Sequence, residues 1–455
     1  MRARLLLLAA ALAAFGGSLV AGFHLDDYAI FSGPLLRSIR GPHPLTNLSF
    51  WLNYQLGGQE PLGYHALNLL LELGAVLLAY ECLRRLLPPT AAVIAAAIFA
   101  VHPLQAEAVN YVAARGVMLA ALFCFAALLA WIEDRPWLSV VTFGVALLAD
   151  QRCVLFPLVF LVVRTPRVGA GPGGHPVRER SATIALACTF ALAIAAVART
   201  HVTGYALALV TFRFLRLLIV PWGFTIDPDV HEPLWLAITA AALILAAIAW
   251  TWRKTSAHSE LTWLLAGLLL LIPNFSANPA ADPRMYLPMF AFAAAAGLLL
   301  ARVPVHHVAI GLILILAAVS VSRTYVWMSE ERLWREAVRR APDKVEPKIQ
   351  LAKSLKAADA LELLGRARQL APYNAEIPAE IGKVLLDEQQ FDGALDELSR
   401  AVALNPKNAL AFNNRGVVLA SLGHPEAAAA DFEHALVLDP TLAEAQENLK
   451  RLGAR

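Results

Sequence analysis

Charge is what this chain has little of. Asp, Glu, Lys and Arg make up 16% of its 455 residues while hydrophobic residues make up 58%, and the mean hydropathy is +0.57. An ordinary water-soluble protein is far less apolar than this. An excess of one sign is missing too: 38 basic and 35 acidic side chains leave a net charge of +3, with the Lys and Arg dispersed, which excludes a nucleic-acid-binding surface. Cysteine is sparse. Cys82, Cys124, Cys153 and Cys188 fall within or beside apolar runs, with no CxxC pair and no His-rich ligand spacing, so they read as free thiols of the core.

Long apolar runs are what the chain has instead. A hydrocarbon core about 30 Å thick takes roughly 20 apolar residues per spanning helix, fewer inside a bundle. Eleven stretches qualify, near 3–22, 63–83, 90–106, 113–132, 136–149, 153–164, 182–198, 233–251, 260–273, 285–301 and 305–322, with 205–222 a further candidate. The expected fold class is all-α: a polytopic transmembrane helix bundle over 1–325, a linker helix over 326–340 and a helical solenoid over 341–455. Lys and Arg in short connections stay cytoplasmic. With the N-terminus inside, the inner connections hold twelve cations, among them Arg4, Arg84, Arg85 and Arg302, against eight in the outer ones. This orientation places the segment 199–232, the loop 274–284 and the whole C-terminal part on one outer face. The first 23 residues also have the basic start and apolar middle of a signal peptide, and cleavage there would leave the same topology.

The C-terminal part repeats. Pro372, Pro406 and Pro440 stand 34 residues apart, the tetratricopeptide period. In the same phase come Ala360, Ala394 and Ala428, then Leu364, Leu398 and Phe432, then Ala367, Ala401 and Ala435, with Gly382 and Gly416 where the two helices of a unit should approach closely. The units predicted are 341–374, 375–408 and 409–442, followed by a capping helix over 443–455. Such a solenoid offers a concave face to an acceptor protein, a peptide or another partner; a plain spacer is the alternative.

Polar residues gather where this topology places the outer face. The stretch "AGFHLDDYAI" sets Asp26 and Asp27 immediately after the first span. Two adjacent carboxylates repel, so one holds its proton more tightly than a free acid, which suits a general base; a divalent metal is the other partner such a pair could take. "VHPLQAEAVNYVAARG" brings His102, Glu107, Asn110 and Arg115 around the turn between the third and fourth spans, where they could satisfy one another. "NFSANPAADPRMYLP" places Asp282, Arg284 and Tyr286 at the start of the tenth span, and a guanidinium there offers planar paired donors to a phosphoryl group. Arg213 and Arg216, three residues apart in an apolar segment, face one way on a helix and form a second cationic candidate.

Several blocks in order carry a resemblance. They are the acid pair Asp26-Asp27, "PLTNLSFWLNYQLGGQEPLGYHALNLLL" from Pro44 to Leu71 with His65 inside it, "HPLQAEAV" from His102, "RMYLP" from Arg284, and "LWREAV" from Leu333 ahead of the repeats. The chain resembles the transmembrane and tetratricopeptide-repeat-containing O-mannosyltransferase-like proteins of the GT-C glycosyltransferase superfamily. It departs from their pattern at His43, Glu72, Val117 and the "DPR" before Met285. The resemblance implies transfer of a sugar, mannose first, from a polyprenyl or dolichyl phosphate carrier to Ser or Thr of a protein on the non-cytoplasmic side, with inversion at the anomeric carbon. It implies a catalytic acid at Asp26 or Asp27; the candidates for donor or substrate contacts are Arg284, Tyr286, Arg213, Arg115, His102, Glu107 and His65. A bacterial inner membrane with a periplasmic site and an endoplasmic reticulum membrane both fit, the compact repeat array favouring the first. A non-catalytic membrane scaffold and a glycolipid-modifying transferase are the rival readings.

Overall fold

In a computed structural model, the described residues are 1–31, 41, 43–162, 213, 216–225, 260–271, 282–303 and 306–453. The spans expected at 182–198 and 233–251 lie outside them. Every regular element among the described residues is helical, and the chain divides into two compact units that meet in sequence at Ser329–Glu330.

The first unit is a bundle of apolar helices. In chain order they are α1 (Arg2–Phe15), α2 (Pro44–Gly57), α3 (Pro61–Leu86), α4 (Pro89–Val101), α5 (Ala106–Asn110), α6 (Arg115–Ile132), α7 (Pro136–Ala149), α8 (Pro157–Val162), α9 (Glu260–Leu271), α10 (Tyr286–Ala301) and α11 (His306–Trp327). Proline at the first position starts α2, α3, α4 and α7, where the missing N–H has no helical partner in any case. Arg2–Val20, Pro61–Leu86, Val112–Ile132 and His307–Trp327 are long and apolar enough to cross a membrane. A further apolar pair is bent: α4 ends at Val101, Pro103 breaks the helix, and Pro89–Val101 and Pro103–Asn110 meet at 44°, the geometry of a broken span or a re-entrant loop. Nearby side chains satisfy the broken backbone. His102 Nδ1 accepts from Leu104 N, and Ser320 Oγ donates to the Val101 carbonyl at 2.6 Å.

Small residues set the closest packing. Any Cβ at Gly297 would lie 2.5 Å from the Ala91 carbonyl oxygen and 2.9 Å from the Ala95 nitrogen, so α10 rests directly on the backbone of α4. Gly297→Ala is therefore expected to destabilise the bundle by about 1–3 kcal/mol, because backbone cannot yield as a side-chain tip can. Gly311→Ala, with open space around it, is the control. Equal unfolding midpoints for the two variants in detergent would refute this.

The bundle has chemically distinct ends. At one end Glu81 accepts from Arg4, Arg84 and Arg85 at 2.6–2.8 Å, Arg85 also reaches Glu133, and Arg302 pairs with Glu260. All four arginines are among the connections the charge count assigns to the cytoplasmic side. Toward the opposite end lie the 3₁₀ turns Leu25–Phe31, Pro103–Gln105, Val112–Ala114, Gln151–Leu155 and Asp282–Met285.

The second unit comprises α12 (Glu330–Arg340), α13 (Glu346–Ala352), α14 (Ala357–Leu370), α15 (Glu376–Asp387), α16 (Phe391–Leu404), α17 (Ala409–Ser421), α18 (Pro425–Leu438) and α19 (Ala443–Gly453). From α13 onward it is an array of helices in which each packs against the next in sequence. The alanines, leucines and phenylalanine that recur in phase are at most 2% exposed. A Cβ at Gly382 would fall 2.5 Å from Leu398 Cγ, and one at Gly416 would fall 2.7 Å from the Phe432 ring, which explains the glycine at that phase.

Candidate active site

The turn that follows the first span folds back on itself. The backbone of Asp26 is in the 3₁₀ turn Leu25–Phe31, and its side chain lies outside the described set. Asp27 is fully buried. Its Oδ2 accepts from His24 N at 3.0 Å and its Oδ1 from Ala113 N at 2.6 Å, so one carboxylate ties the first loop to the turn Val112–Ala114 that leads into α6. Burial lifts its pKa from 3.8 to about 7, opposed by the amides of His24, Ala113 and Val112 and by the charge of Arg115. The adjacent acids alone suggest a carboxyl that tightens its hold on its proton through mutual repulsion; burial is the cause the structure supplies.

Arg115 sits in the interior at the start of α6. Its Nε donates to Asn68 Oδ1 at 2.8 Å, Nη1 to Asn53 Oδ1 at 2.7 Å and Ser49 Oγ at 3.3 Å, and Nη2 to the Tyr64 carbonyl at 3.0 Å. The guanidinium lies over the Phe50 ring at 4.5 Å. It thus joins α2, α3 and α6 under the Asp27 turn. Three of its partners, Ser49, Asn53 and Asn68, are not among the residues the sequence singles out. The available signal is helical spacing, since His65, Asn68 and Glu72 fall on one face of α3.

His65 is buried and its Nε2 meets the Gly22 carbonyl at 3.0 Å, beside the acid-bearing turn. His24 makes the analogous contact with the Trp327 carbonyl at 2.6 Å, and burial lowers its pKa, so it is neutral at physiological pH. His102 bonds Leu104 N and the Leu218 carbonyl, and Asn110 reaches the Ala106 carbonyl and Thr324 Oγ1. Of the residues between the third and fourth expected spans, Arg115 thus turns to α2 and α3, and His102 to residue 218.

A second polar group is centred on Arg284, which is 9% exposed in the turn before α10. Burial foremost, and then the charge of Arg152, lower its pKa to about 10, while Glu107 and Asp150 act in the opposite sense. Arg152, which the sequence does not single out, is held by Asp150: Nη2 donates to Oδ2 at 2.5 Å, Nε to both oxygens at 3.0 Å, and its own backbone N to Oδ1. Tyr286 points away from this group and donates to Glu72, both side chains being fully buried. Arg213 is buried as well, and Arg323 lies over the Phe224 ring at 5.4 Å. The geometry thus joins Asp27 with Arg115 and His65, and Arg284 with Glu107, and sends Tyr286 into the bundle. Among the described residues no three His, Cys, Asp or Glu side chains converge as a metal would require.

Comparison with known proteins bears on both units. The tetratricopeptide repeat family profile matches residues 381–452. The chain is 41% identical over 117 residues to protein O-mannosyl-transferase Tmtc1 of Drosophila melanogaster, covering 24% of this chain and 13% of that protein. It is 35% identical over 112 residues to protein O-mannosyl-transferase TMTC3 of Homo sapiens, covering 24% and 12%. The Arabidopsis OM64 tetratricopeptide domain is 29% identical over 24% of this chain and 93% of that chain, with a TM-score of 0.24. The matched segments thus span about an eighth of the length of these curated relatives. This helical chain, with helices apolar enough to cross a membrane and a tetratricopeptide array after them in sequence, is similar over about a quarter of its length to the protein O-mannosyl-transferases.

Proposed function

We propose that this chain is a membrane glycosyltransferase of GT-C type that moves a sugar, mannose first, from a polyprenyl-phosphate carrier to Ser or Thr of a protein on the non-cytoplasmic face. The observation that carries the reading is the buried acid turn at one end of the bundle, with cationic side chains nearby, in a chain whose relatives are named O-mannosyl-transferases. A Ser or Thr hydroxyl is a poor nucleophile until a carboxylate takes its proton, the task assigned to Asp26 or Asp27. The hydroxyl oxygen then attacks the anomeric carbon, the bond to the carrier phosphate breaks, and Arg284 stabilises the departing phosphate. His65, His102, Glu107, Tyr286, Arg115 and Arg213 hold this end in shape around the reactants. The arginines at the opposite end fit the cytoplasmic side of a bacterial inner membrane, with the acid turn and the repeats in the periplasm and the repeats engaging acceptor or partner protein.

A second reading, a membrane-anchored scaffold, draws on the two backbone amides that already occupy the oxygens of Asp27. The two part on one assay. Purified full-length protein is incubated with radiolabelled polyprenyl-phosphate-mannose and periplasmic proteins, and label in protein is counted. The transferase reading expects label with the wild type and its loss with Asp26→Asn or Asp27→Asn in chains that remain folded. Variants as active as the wild type would sink it. Removing residues 341–455 should abolish transfer to protein, whereas a glycolipid enzyme would keep its activity.

A further inference from the structure

Each oxygen of Asp27 is held by a backbone amide, and both amides belong to segments that rest on one aromatic side chain. His24 N donates to Oδ2 at 3.0 Å, and Asp27 N returns a bond to the His24 carbonyl at 2.9 Å. Ala113 N donates to Oδ1 at 2.6 Å, and its turn opens at Tyr111, whose carbonyl accepts from Ala114 N at 3.1 Å. Trp327, the last residue of α11, touches both sides. Its ring meets the His24 ring edge to face at 5.9 Å and stacks on the Tyr111 ring at 5.8 Å, two arrangements that aromatic pairs favour. Its carbonyl accepts from His24 Nε2 at 2.6 Å, and with His24 and Trp327 both buried no water competes for that bond. The tryptophan is itself fixed. Three residues earlier Thr324 Oγ1 donates to the Ala14 carbonyl at 3.1 Å and accepts from Asn110 Nδ2 at 3.3 Å, which ties this end of α11 to α1 and α5. The indole Nε1 is buried with no partner among the described residues. An unpaired buried donor costs free energy, so what the ring contributes here is its faces and edge.

We infer that Trp327 and His24 are positioning residues of the acid turn, fixing from the end of α11 the two backbone donors that aim the Asp27 carboxylate. A general base must lie within hydrogen-bond reach of the hydroxyl it deprotonates, and a misplacement of about 1 Å can cost on the order of 100-fold in rate. The inference deepens the transferase reading and rests on it for the effect on rate; for the placement of the turn it rests on these contacts alone. It holds whichever of Asp26 and Asp27 is the base, since both lie in the turn Leu25–Phe31.

The test takes two readouts on purified full-length protein in detergent. The first, amide hydrogen exchange over residues 24–31 and 111–114, needs no turnover. The second is kcat and KM for radiolabelled polyprenyl-phosphate-mannose with periplasmic proteins as acceptor. Trp327→Leu should speed exchange in both segments about tenfold, the factor that a lost aromatic contact supplies. It should lower kcat by about 10–100-fold and leave KM within about twofold, because the reacting groups are misaimed while the donor still binds. Trp327→Phe, which keeps a ring and loses only the unpaired N–H, should stay within about threefold of the wild type in both readouts. Ile315→Ala, at an exposed position of the same helix, should change neither. Should Trp327→Leu fail to fold, His24 decides the question: His24→Phe keeps the ring and removes the Nε2 donor and should lose kcat, and His24→Gln, which restores a donor there, should recover most of it. Wild-type exchange in Trp327→Leu, a rise in KM with kcat unchanged, or equal losses in His24→Phe and His24→Gln would each overturn the inference. Exchange as expected with no sugar transfer by the wild type would sink the transferase reading alone. Wild-type transfer with kcat unmoved in Trp327→Leu and His24→Phe would sink this inference alone.

Discussion

Arg115→Lys is expected to destabilise the membrane unit by about 3 kcal/mol or more, although it preserves the charge. The arginine spreads its donors over Asn68, Asn53, Ser49 and the Tyr64 carbonyl, which come from two helices and approach from different directions. A single ammonium cannot span them, and each acceptor it misses is left buried where water does not reach. Arg115→Ala should be worse, since it also removes the cation over Phe50 and leaves a void under the Asp27 turn. The measurement is the unfolding midpoint of purified protein in detergent, with sugar transfer read alongside. A lysine variant that melts within about 1 °C of the wild type would show that these helices do not depend on the fork. Loss of transfer is expected to accompany loss of stability, because Asp27 is anchored to Ala113, two residues before Arg115.

Asp27→Asn should remove sugar transfer by a factor of about 10²–10⁴ if this carboxylate is the base. It should also weaken the fold by about 1–3 kcal/mol at acidic pH, because an amide nitrogen would face one of two backbone N–H groups that now have acceptors. The pH dependence separates the two effects. The folded-state pKa is raised from 3.8 to about 7, so the contribution of this group to stability is fully present below about pH 4 and is lost as pH rises through 7. The wild type should therefore become less stable between about pH 4 and 7, by at most on the order of 4 kcal/mol, and the asparagine variant should lack that slope. Transfer needs the ionised form and should rise across the same interval, so stability and activity run in opposite directions. Unfolding midpoints and initial rates from pH 5 to 9 test both trends. If Asp26 is the base, Asp26→Asn should lose transfer and yet keep the wild-type stability slope. A flat wild-type stability profile would remove the buried, proton-holding carboxyl from the account.

Features that depend on neighbours along the chain are legible in the amino-acid order itself. The 34-residue phase locates the buried alanines and leucines of the solenoid, because a repeat packs only against its neighbours and the same positions recur at every contact. Hydropathy locates the crossings Pro61–Leu86 and Val112–Ile132 within a few residues. The count of cations in connections separates Arg4, Arg84, Arg85 and Arg302 from the turns that carry Asp27 and Arg284, since each depends only on which end of a helix a residue occupies. The break at His102 is half legible: Pro103 announces it, but the hydroxyl that caps the freed carbonyl comes from Ser320.

What the sequence alone determined, then, is the helical class, the repeat and the end of the bundle at which Arg4, Arg84, Arg85 and Arg302 lie. The tertiary structure decided partners. It bound Asp27 to the amides of His24 and Ala113, gave Arg115 to Asn68 and Asn53, turned Tyr286 toward Glu72, and set Arg152 beside Arg284. Each of those choices depends on how far a helix is rotated about its axis and how closely it approaches one met tens to hundreds of residues later. In helices apolar on every side no stripe in the sequence records that rotation; small residues such as Gly297 and the few buried polar contacts impose it when the bundle closes.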